Sequence, residues 1–341
     1  MKVTFRTKLG ALLLDLPRYL FLFVLGKLSK KNYWLRFKNR RENISVSLEN
    51  GGVMCHWPWT SELHLANIIP MTARHLFKQN IQYAPIGLDP SGAAIGDAPQ
   101  LSFIIGHRGL ERLPLLINTL HSIAAQGNCV IECIVVEQSS TPTIENELPE
   151  WVRFYHQEVP ENQPYSRSMA FNFGAQKARA EYIILHDNDL LVPSCYASQH
   201  LSWHQQGYMF VNLKRFIFYL SEASTQNYLL HHDKNKLHFE SIVQNAQGGG
   251  SISAIKKAYF EIGGFDEQFI GWGGEDNEFW ERAQTMRTWS YANLPLIHLW
   301  HSAQPEKNKD GAGRNKQLYE KLARLAPSAR IKTLTKTNFK R

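Results

Sequence analysis

Two aspartates separated by one residue follow an apolar stretch near the middle of the chain. Asp187 and Asp189 come directly after residues 182–185, a stretch with the composition of a β-strand. Residues i and i+2 of an extended chain point the same way, so both carboxylates can face one divalent cation. The same residues are equally typical of a turn held by aspartate side chains. The pair indicates a cation site only if other ligands join it.

Two histidines three positions apart could supply such ligands. His298 and His301 follow the apolar stretch 294–297. A histidine pair of this kind is, by itself, more often structural than metal-binding. Together with Asp189, however, the two imidazoles would form a mixed oxygen and nitrogen site suited to Mn²⁺.

Glycine-rich segments place an aromatic ring and two carboxylates close together in the sequence. Trp272 lies between glycines, and Glu275 and Asp276 follow at the predicted start of a helix. An indole can stack on a sugar ring, and glycines let a loop approach a ligand. Acidic residues also favour a first helical turn, but that does not account for the glycines and tryptophan before them. A second run, 248–250, lets the backbone pass close to a diphosphate or a sugar, or simply makes a tight bend.

The elements that would position these residues alternate between strands and helices from residue 101 onward. This order predicts an α/β fold with a mixed, mostly parallel sheet flanked by helices. Ligands of such sheets bind at the carboxyl ends of the strands, where residues 106–108, 138–140 and 186–189 fall. The predicted strands are 101–105, 131–138, 152–157 and 181–192, and the predicted helices are 113–126 and 166–180.

Composition and charge exclude several classes of protein. The 341 residues are 43% hydrophobic and 20% charged, which excludes a disordered, collagen-like or coiled-coil protein. Four cysteines are too few for a disulfide scaffold and indicate a reduced, intracellular protein. Residues 1–42 carry 11 Lys and Arg against two acids and residues 314–341 carry nine against one, so of the net charge of +8 the rest of the chain holds −9. The acidic body argues against a nucleic-acid groove, and the basic flanks suit an anionic membrane surface.

Four regions are expected along the chain. The first is an amphipathic helix lying on a membrane, because Asp15, Pro17 and Arg18 interrupt its apolar residues too much for a spanning helix. An ordinary helix packed on the protein is the alternative. The predicted regions are 1–32 for this helix, 33–100 for an accessory region and linker, 101–312 for the α/β domain, and 313–341 for a basic C-terminal helix or tail.

The order of these segments resembles that of the GT-A-fold glycosyltransferases. The nearest likeness is to the animal β-1,4-galactosyltransferases and the modules of bacterial chondroitin polymerase, and it covers about residues 101–310. It is carried by HDND at 186–189, by HLWHS at 298–302 and by the long segment 248–282, which contains GWGGED. The animal enzymes have methionine where this chain has His298, and residues 1–100 have no counterpart in the family.

The resemblance implies an inverting, metal-dependent transfer of a hexose or N-acetylhexosamine from a UDP-sugar to a glycan or glycolipid hydroxyl, in the synthesis of cell-surface polysaccharide or lipopolysaccharide. Asp276 would be the general base, and Glu275 would orient the acceptor. The expected ligands of Mn²⁺ or Mg²⁺ are Asp189, His301 and His298. The expected donor contacts are Arg108, Arg167, Asn172, Asp187, Gly249, Gly250 and Trp272.

Two other functions stay open at the level of sequence. One is a metal-dependent nucleotidyl- or phosphotransferase that uses the same diphosphate site, and the other is a non-catalytic glycan-binding protein on the same fold. The expected location is cytoplasmic, with peripheral contact at the inner face of a bacterial inner membrane. No specific nucleic-acid partner is expected.

Overall fold

The strands and helices predicted from residue 101 onward are present in the predicted order, but the predicted strand 181–192 is two strands, Tyr182–His186 and Leu190–Leu191, and beyond them pairs of strands alternate with helices. The structure is a computed structural model that describes residues 4–24, 33–47, 51–57, 60–234, 237–245, 248–303 and 310–337. Its strands are β1 Ile44–Val46, β2 Val53–Cys55, β3 Ser61–Glu62, β4 Leu101–His107, β5 Ile131–Ser139, β6 Arg153–Glu158, β7 Tyr182–His186, β8 Leu190–Leu191, β9 Phe210–Val211, β10 Lys214–Leu220, β11 Phe239–Gln244, β12 Ser251–Ile255, β13 Thr288–Trp289 and β14 Leu294–His298. Its α-helices are α1 Phe5–Gly10, α2 Leu16–Val24, α3 His64–Ile68, α4 Pro70–Tyr83, α5 Leu113–Ala124, α6 Arg167–Lys177, α7 Tyr196–Gln205, α8 Glu222–His231, α9 Lys256–Glu261, α10 Glu275–Ala283, α11 Asp310–Leu322 and α12 Pro327–Thr337.

The central sheet confirms the predicted α/β fold. Within the described residues its strand order is β13-β9-β12-β7-β4-β5-β6. The strands β7, β4, β5 and β6 are parallel to one another, and β12 is antiparallel to both of its neighbours. Every residue of β4 is buried, as expected of a parallel strand covered on both faces.

Helices cover both faces of this sheet because successive residues of a strand point to opposite sides. On one face, Phe103 and Ile105 of β4 pack in a core that includes Leu120 of α5. On the other face, Ile104 packs in a core that includes Phe171 of α6. The layers therefore fix where β4, β5 and β7 end, which is where the polar loops begin.

A second sheet, not predicted from the sequence, brings the C-terminal histidines to the same edge. Its order is β3-β11-β10-β14-β8. The strand β14 is antiparallel to β8, and this register places His298 opposite Leu190. Since Leu190 follows Asp189 directly in the chain, the pairing brings the predicted metal ligands together.

The N-terminal region packs on the second sheet through a mixture of short elements. A π-helical turn, Ala11–Asp15, separates α1 from α2. The strands β1 and β2 form an antiparallel pair, with Ile44 opposite Cys55. Residues 48–50 between them, like residues 1–3 and 25–32 of the predicted helix, lie outside the described residues. None of the helices in the described ranges combines the length and the apolarity needed to cross a bilayer.

The C-terminal helices pack against α10. Arg330 of α12 forms ion pairs with Glu278 at 3.3 Å and with Glu281 at 2.7 Å. Arg282 lies beside the same Glu278 at 2.6 Å, with both side chains fully buried. Residues 313–337 of the predicted basic segment therefore take part in packing around the helix that begins with the predicted catalytic pair; residues 338–341 lie outside the described part.

Candidate active site

Backbone hydrogen bonds hold the two aspartates against the segments predicted to work with them. The Asp187 amide donates to the Gly250 carbonyl at 2.9 Å, which continues the pairing of β7 with β12 beyond the strand end. The Asp189 carbonyl accepts from the Leu299 amide at 2.9 Å. Asp187 thus lies beside the glycine run, and Asp189 lies beside the histidines.

Asp189, His298 and His301 form a cluster that fits a divalent cation. The Asp189 Oδ2 is 3.1 Å from His301 Nε2, and its Oδ1 is 3.6 Å from His298 Nε2. One ligand atom from each residue lies within 4.8 Å of the others. The Asp189 Oδ1 is buried without a hydrogen-bond donor, which is costly unless a ligand supplies the missing contact. One carboxylate and two imidazoles form a donor set suited to Mn²⁺.

The charges in this cluster favour the states that bind a cation. Burial alone would raise the pKa of Asp189, but His298, His301 and Arg112 together hold it below its usual range. Burial lowers the pKa of His298, so this imidazole stays neutral and keeps a lone pair for a ligand. An ionised carboxylate and a neutral imidazole are the ligating forms.

Arg112, which the sequence analysis missed, lies directly on the cluster. Its Nη1 is 3.5 Å from Asp189 Oδ2, and its Nη2 is 2.9 Å from His301 Nδ1. The same Nδ1 is 2.7 Å from the Ser302 carbonyl. A guanidinium only donates and a carbonyl only accepts, so these contacts favour opposite tautomers of the neutral imidazole. The tautomer that accepts from Arg112 has its proton on Nε2 and cannot bind a metal through that atom.

Arg167 connects Asp187 to the two carboxylates at the start of α10, Glu275 and Asp276. It is the first residue of α6, whose start is capped by the Ser166 hydroxyl accepting from the Met169 amide. Its guanidinium lies 2.7 Å from Asp187 Oδ1 and donates to Asp276 Oδ1. Glu275 Oε1 lies 3.6 Å away. One cation therefore contacts three of the predicted site carboxylates.

The carboxyl groups around Arg167 have raised pKa values. Burial raises the pKa of Glu275 to about 7, and the charge of Asp276 adds to the effect, while Arg167 opposes it. Burial also raises the pKa of Asp276, again against Arg167. Clustered carboxyl groups whose protons are held near neutral pH are typical of sites that transfer protons.

The two glycine runs allow the start of α10 to lie against the strand ends. Gly274 precedes the helix with φ of 93°, a conformation that favours glycine. A Cβ atom on Gly248 would lie 2.6 Å from the Asp276 carbonyl, and one on Gly249 would lie 3.2 Å from Asp276 Oδ2. These close approaches place the predicted base beside the run that begins β12.

The loop that carries Trp272 is held at its base by the C-terminal helix α11. The Asn315 side chain is fully buried and donates to the carbonyls of Ile270 and Trp272 at 3.1 and 3.2 Å. Trp272 itself is 46% exposed. The indole is thus available at the surface of a loop that Asn315 fixes at two points.

Lys214 is a second charged residue that the sequence analysis missed. It is buried at the start of β10 and donates to the Ser251 carbonyl. Burial lowers its pKa to about 7, while Asp276 and Asp187 act in the opposite direction. The only signal in the sequence is a Lys-Arg pair directly before an apolar strand, where charged residues are unusual.

Two residues predicted to bind the donor are tied to protein groups. Asn172 is 1% exposed, donates to the Phe265 carbonyl at 2.9 Å, and accepts from the Phe265 amide at 2.9 Å. Arg108 donates to the carbonyls of Gln138 and Gln163 at 2.7 and 2.6 Å. Their bonds fix the loops at the sheet edge, so any contact of either residue with the donor stays a prediction.

A candidate cation cluster thus lies at the strand ends of a mostly parallel sheet, and the buried Glu275 and the half-buried Asp276 begin α10. The family model described as "Glycosyltransferase like family 2" matches residues 102–301, well over half of the chain. The chain belongs to this family.

Known relatives agree with the resemblance drawn from the motifs. Beta-1,4-galactosyltransferase 5 of Sus scrofa is 27% identical over 158 residues, which cover 42% of this chain and 35% of that protein. Chondroitin synthase of Escherichia coli is 36% identical over 70 residues, which cover 20% of this chain and 10% of that protein. The matches thus span about a third or less of these relatives.

Among solved structures, the mannosyltransferase PcManGT from Pyrobaculum calidifontis, in complex with GDP-Man and Mn²⁺, aligns with 78% of this chain and 81% of its own. The TM-score of this alignment is 0.42, and the sequences are 14% identical.

Proposed function

We propose that the protein transfers a hexose or N-acetylhexosamine from a UDP-sugar to a hydroxyl group of a glycan or glycolipid, with inversion and with a requirement for Mn²⁺ or a similar ion. The observation that carries the proposal is the link between the two halves of the site. Asp189 clusters with His298 and His301, and Asp187, two residues before it, pairs with Arg167, which also donates to Asp276. A single displacement needs such an arrangement of leaving-group stabiliser and base, with no protein nucleophile.

The chemistry divides between the two halves. When bound at Asp189, His298 and His301, a divalent cation would offset the negative charge that develops on the departing diphosphate. Asp276 takes the proton of the acceptor hydroxyl as its oxygen attacks the anomeric carbon. Glu275 accepts a hydrogen bond from the acceptor and so orients it.

The remaining proposed residues bind the donor or exclude water. Trp272 stacks on a sugar ring, and its exposed position on a glycine-bounded loop supports that role. Gly249 and Gly250 leave room for the donor beside Asp187, which holds the ribose or a metal-bound water. The proposal of a hexose draws on the similarity to a galactosyltransferase, and UDP is the nucleotide that the family resemblance implies.

The proposed place of action is the cytoplasmic face of a bacterial inner membrane. Cell-surface polysaccharide and lipopolysaccharide precursors are carried on lipids, so an enzyme that extends them works at a bilayer. The basic N- and C-terminal segments support this location, since they would be drawn to anionic headgroups.

The experiment is a screen of UDP-sugars for UDP release and glycoside formation, with chelator and then Mn²⁺ added back. We expect turnover to stop with chelator and to return with Mn²⁺. The Asp276→Asn variant should still bind UDP but lose about 10²–10⁴-fold in transfer, whereas Asp97→Asn, a matched change at an exposed site, should not. Full turnover without metal contradicts the proposal. Release of a sugar 1-phosphate in place of UDP identifies a nucleotidyltransferase instead, and release of UMP identifies a phosphotransferase.

A further inference from the structure

The N-terminal helices have an inverted distribution of apolar residues. Helices on the surface of a globular protein normally bury an apolar stripe and expose polar residues. Here the inward stripe is Ala11, Asp15 and Tyr19, spaced four residues apart. Eight of the 14 large apolar side chains that are exposed among the described residues lie within residues 5–24: Phe5, Leu9, Leu12, Leu13, Leu14, Leu20, Phe21 and Val24.

The inward stripe anchors these helices to the protein. The Tyr19 hydroxyl donates to the Lys38 carbonyl at 2.9 Å and accepts from the Lys38 amide at 3.0 Å. The Tyr19 ring stacks on Phe37 with 4.0 Å between the ring centres. Asp15 is buried and lies 3.6 Å from Arg40. The helices are therefore fixed by their polar and aromatic side, and this leaves the apolar side facing outward.

The exposed side is also positively charged. Arg6, Lys8 and Arg18 are exposed, and the one acid of the described residues 4–24 is the buried Asp15. An apolar face bordered by cations and free of exposed acids matches the interface of a bilayer with anionic headgroups. A second copy of the same face would instead bring like charges together.

We propose that the exposed face of α1, the π-helical turn and α2 is a docking surface for the interface of a bilayer that contains anionic lipids. The apolar side chains enter the boundary between headgroups and acyl chains, and Arg6, Lys8 and Arg18 contact the headgroups. This docking would present a lipid-linked acceptor to the active site, and that role rests on the proposed function. The binding to lipid itself does not depend on the proposed function.

The test is co-sedimentation of the full chain with vesicles of phosphatidylcholine, with and without phosphatidylglycerol. We expect binding to the anionic vesicles that weakens as salt is raised. The Arg6→Gln, Lys8→Gln, Arg18→Gln triple variant should bind these vesicles roughly 100-fold more weakly. The Leu13→Gln, Leu20→Gln double variant should also lose binding, whereas Leu230→Gln, at an equally exposed leucine of α8, should bind like the original chain.

The outcomes separate this proposal from the one on catalysis. UDP release with a water-soluble acceptor should be unchanged in all three variants. If the original chain binds vesicles but shows no transferase activity, the proposed function is wrong and the docking proposal is still supported. Absence of binding to anionic vesicles, or equal binding by the double variant and Leu230→Gln, overturns the docking proposal. So does a dimer in solution that the double variant converts to a monomer, since the face would then join two copies. Thermal unfolding checks that the variants fold. If the leucine double variant does not fold, the comparison of the triple variant with the original chain decides the result.

Discussion

Arg112→Gln should tighten the binding of Mn²⁺ in the absence of nucleotide. In the structure, the Arg112 guanidinium occupies hydrogen-bonding positions on His301 and Asp189 at 2.9 and 3.5 Å. The neutral His301 imidazole that accepts this bond carries its proton on Nε2, the atom that faces Asp189. Metal ligation through Nε2 therefore requires the contact with Arg112 to break and the proton to move from Nε2 to Nδ1, which then donates to the Ser302 carbonyl.

The size of the effect follows from the bond that is lost. A hydrogen bond that involves a charged group contributes about 1.5–3 kcal/mol, and 1.4 kcal/mol corresponds to a tenfold change in affinity. Arg112→Gln should therefore lower the Kd for Mn²⁺ by roughly 10- to 100-fold. The loss of a neighbouring positive charge acts in the same direction.

The assay is a titration with Mn²⁺ followed by the electron paramagnetic resonance signal of the free ion. Lys257→Gln is the matched control because it removes the same charge from a side chain that is 86% exposed. In a His301→Ala background, the effect of Arg112→Gln should shrink, since the bond in question is already absent. An Arg112→Gln variant that binds Mn²⁺ no more tightly than Lys257→Gln would refute the reasoning.

Three further changes test charges buried in and around the site. Glu278→Gln leaves the buried Arg282 and Arg330 without their shared counter-ion, so urea unfolding should show a loss of about 3–5 kcal/mol; a loss under 1 kcal/mol contradicts this. The pKa of Glu275 is raised to about 7, so kcat/KM should rise with pH through that range as the carboxyl group ionises. Glu275→Gln should flatten this rise, and an unchanged pH profile would show that another group causes it. The pKa of Lys214 is lowered to about 7, below its unfolded value of about 10.4, so the unfolded chain binds more protons between these limits. Stability of the original chain, measured by urea unfolding relative to Lys214→Met, should therefore increase from pH 7 to pH 10, and a constant difference would count against it.

The sequence was sufficient for the four parallel strands of the central sheet because their signals are local, whereas β9, β12 and β13 were not predicted. The apolar runs that became β4, β5 and β7 are bounded by glycines and polar residues, and their order fixes a parallel arrangement. The grouping of Asp189 with His298 and His301 was predictable from residue chemistry. What brings these residues together is the antiparallel pairing of β14 with β8, and no local sequence pattern predicts that pairing.

Residues that act through distant contacts were not predictable. Arg112 ends a short 3₁₀ turn directly before α5, and nothing near it in the sequence indicates that it meets His301, 189 positions away. Asn172 was assigned to the donor by the family resemblance, but its amide group is occupied by the Phe265 backbone. The C-terminal segment was expected to be a basic helix or tail, yet Asn315 lies buried under the tryptophan loop.

The position of Arg167 has a consequence for the kinetic order of the reaction. One guanidinium pairs with Asp187, a proposed donor contact, and with Asp276, the proposed base. A donor phosphate that attracts the Arg167 guanidinium weakens the ion pair between Arg167 and Asp276. The Asp276 carboxylate then becomes more basic while the donor is bound. If the acceptor binds first, Asp276 is still paired with Arg167 and is a weaker base. This arrangement favours an ordered reaction in which the nucleotide sugar binds before the acceptor.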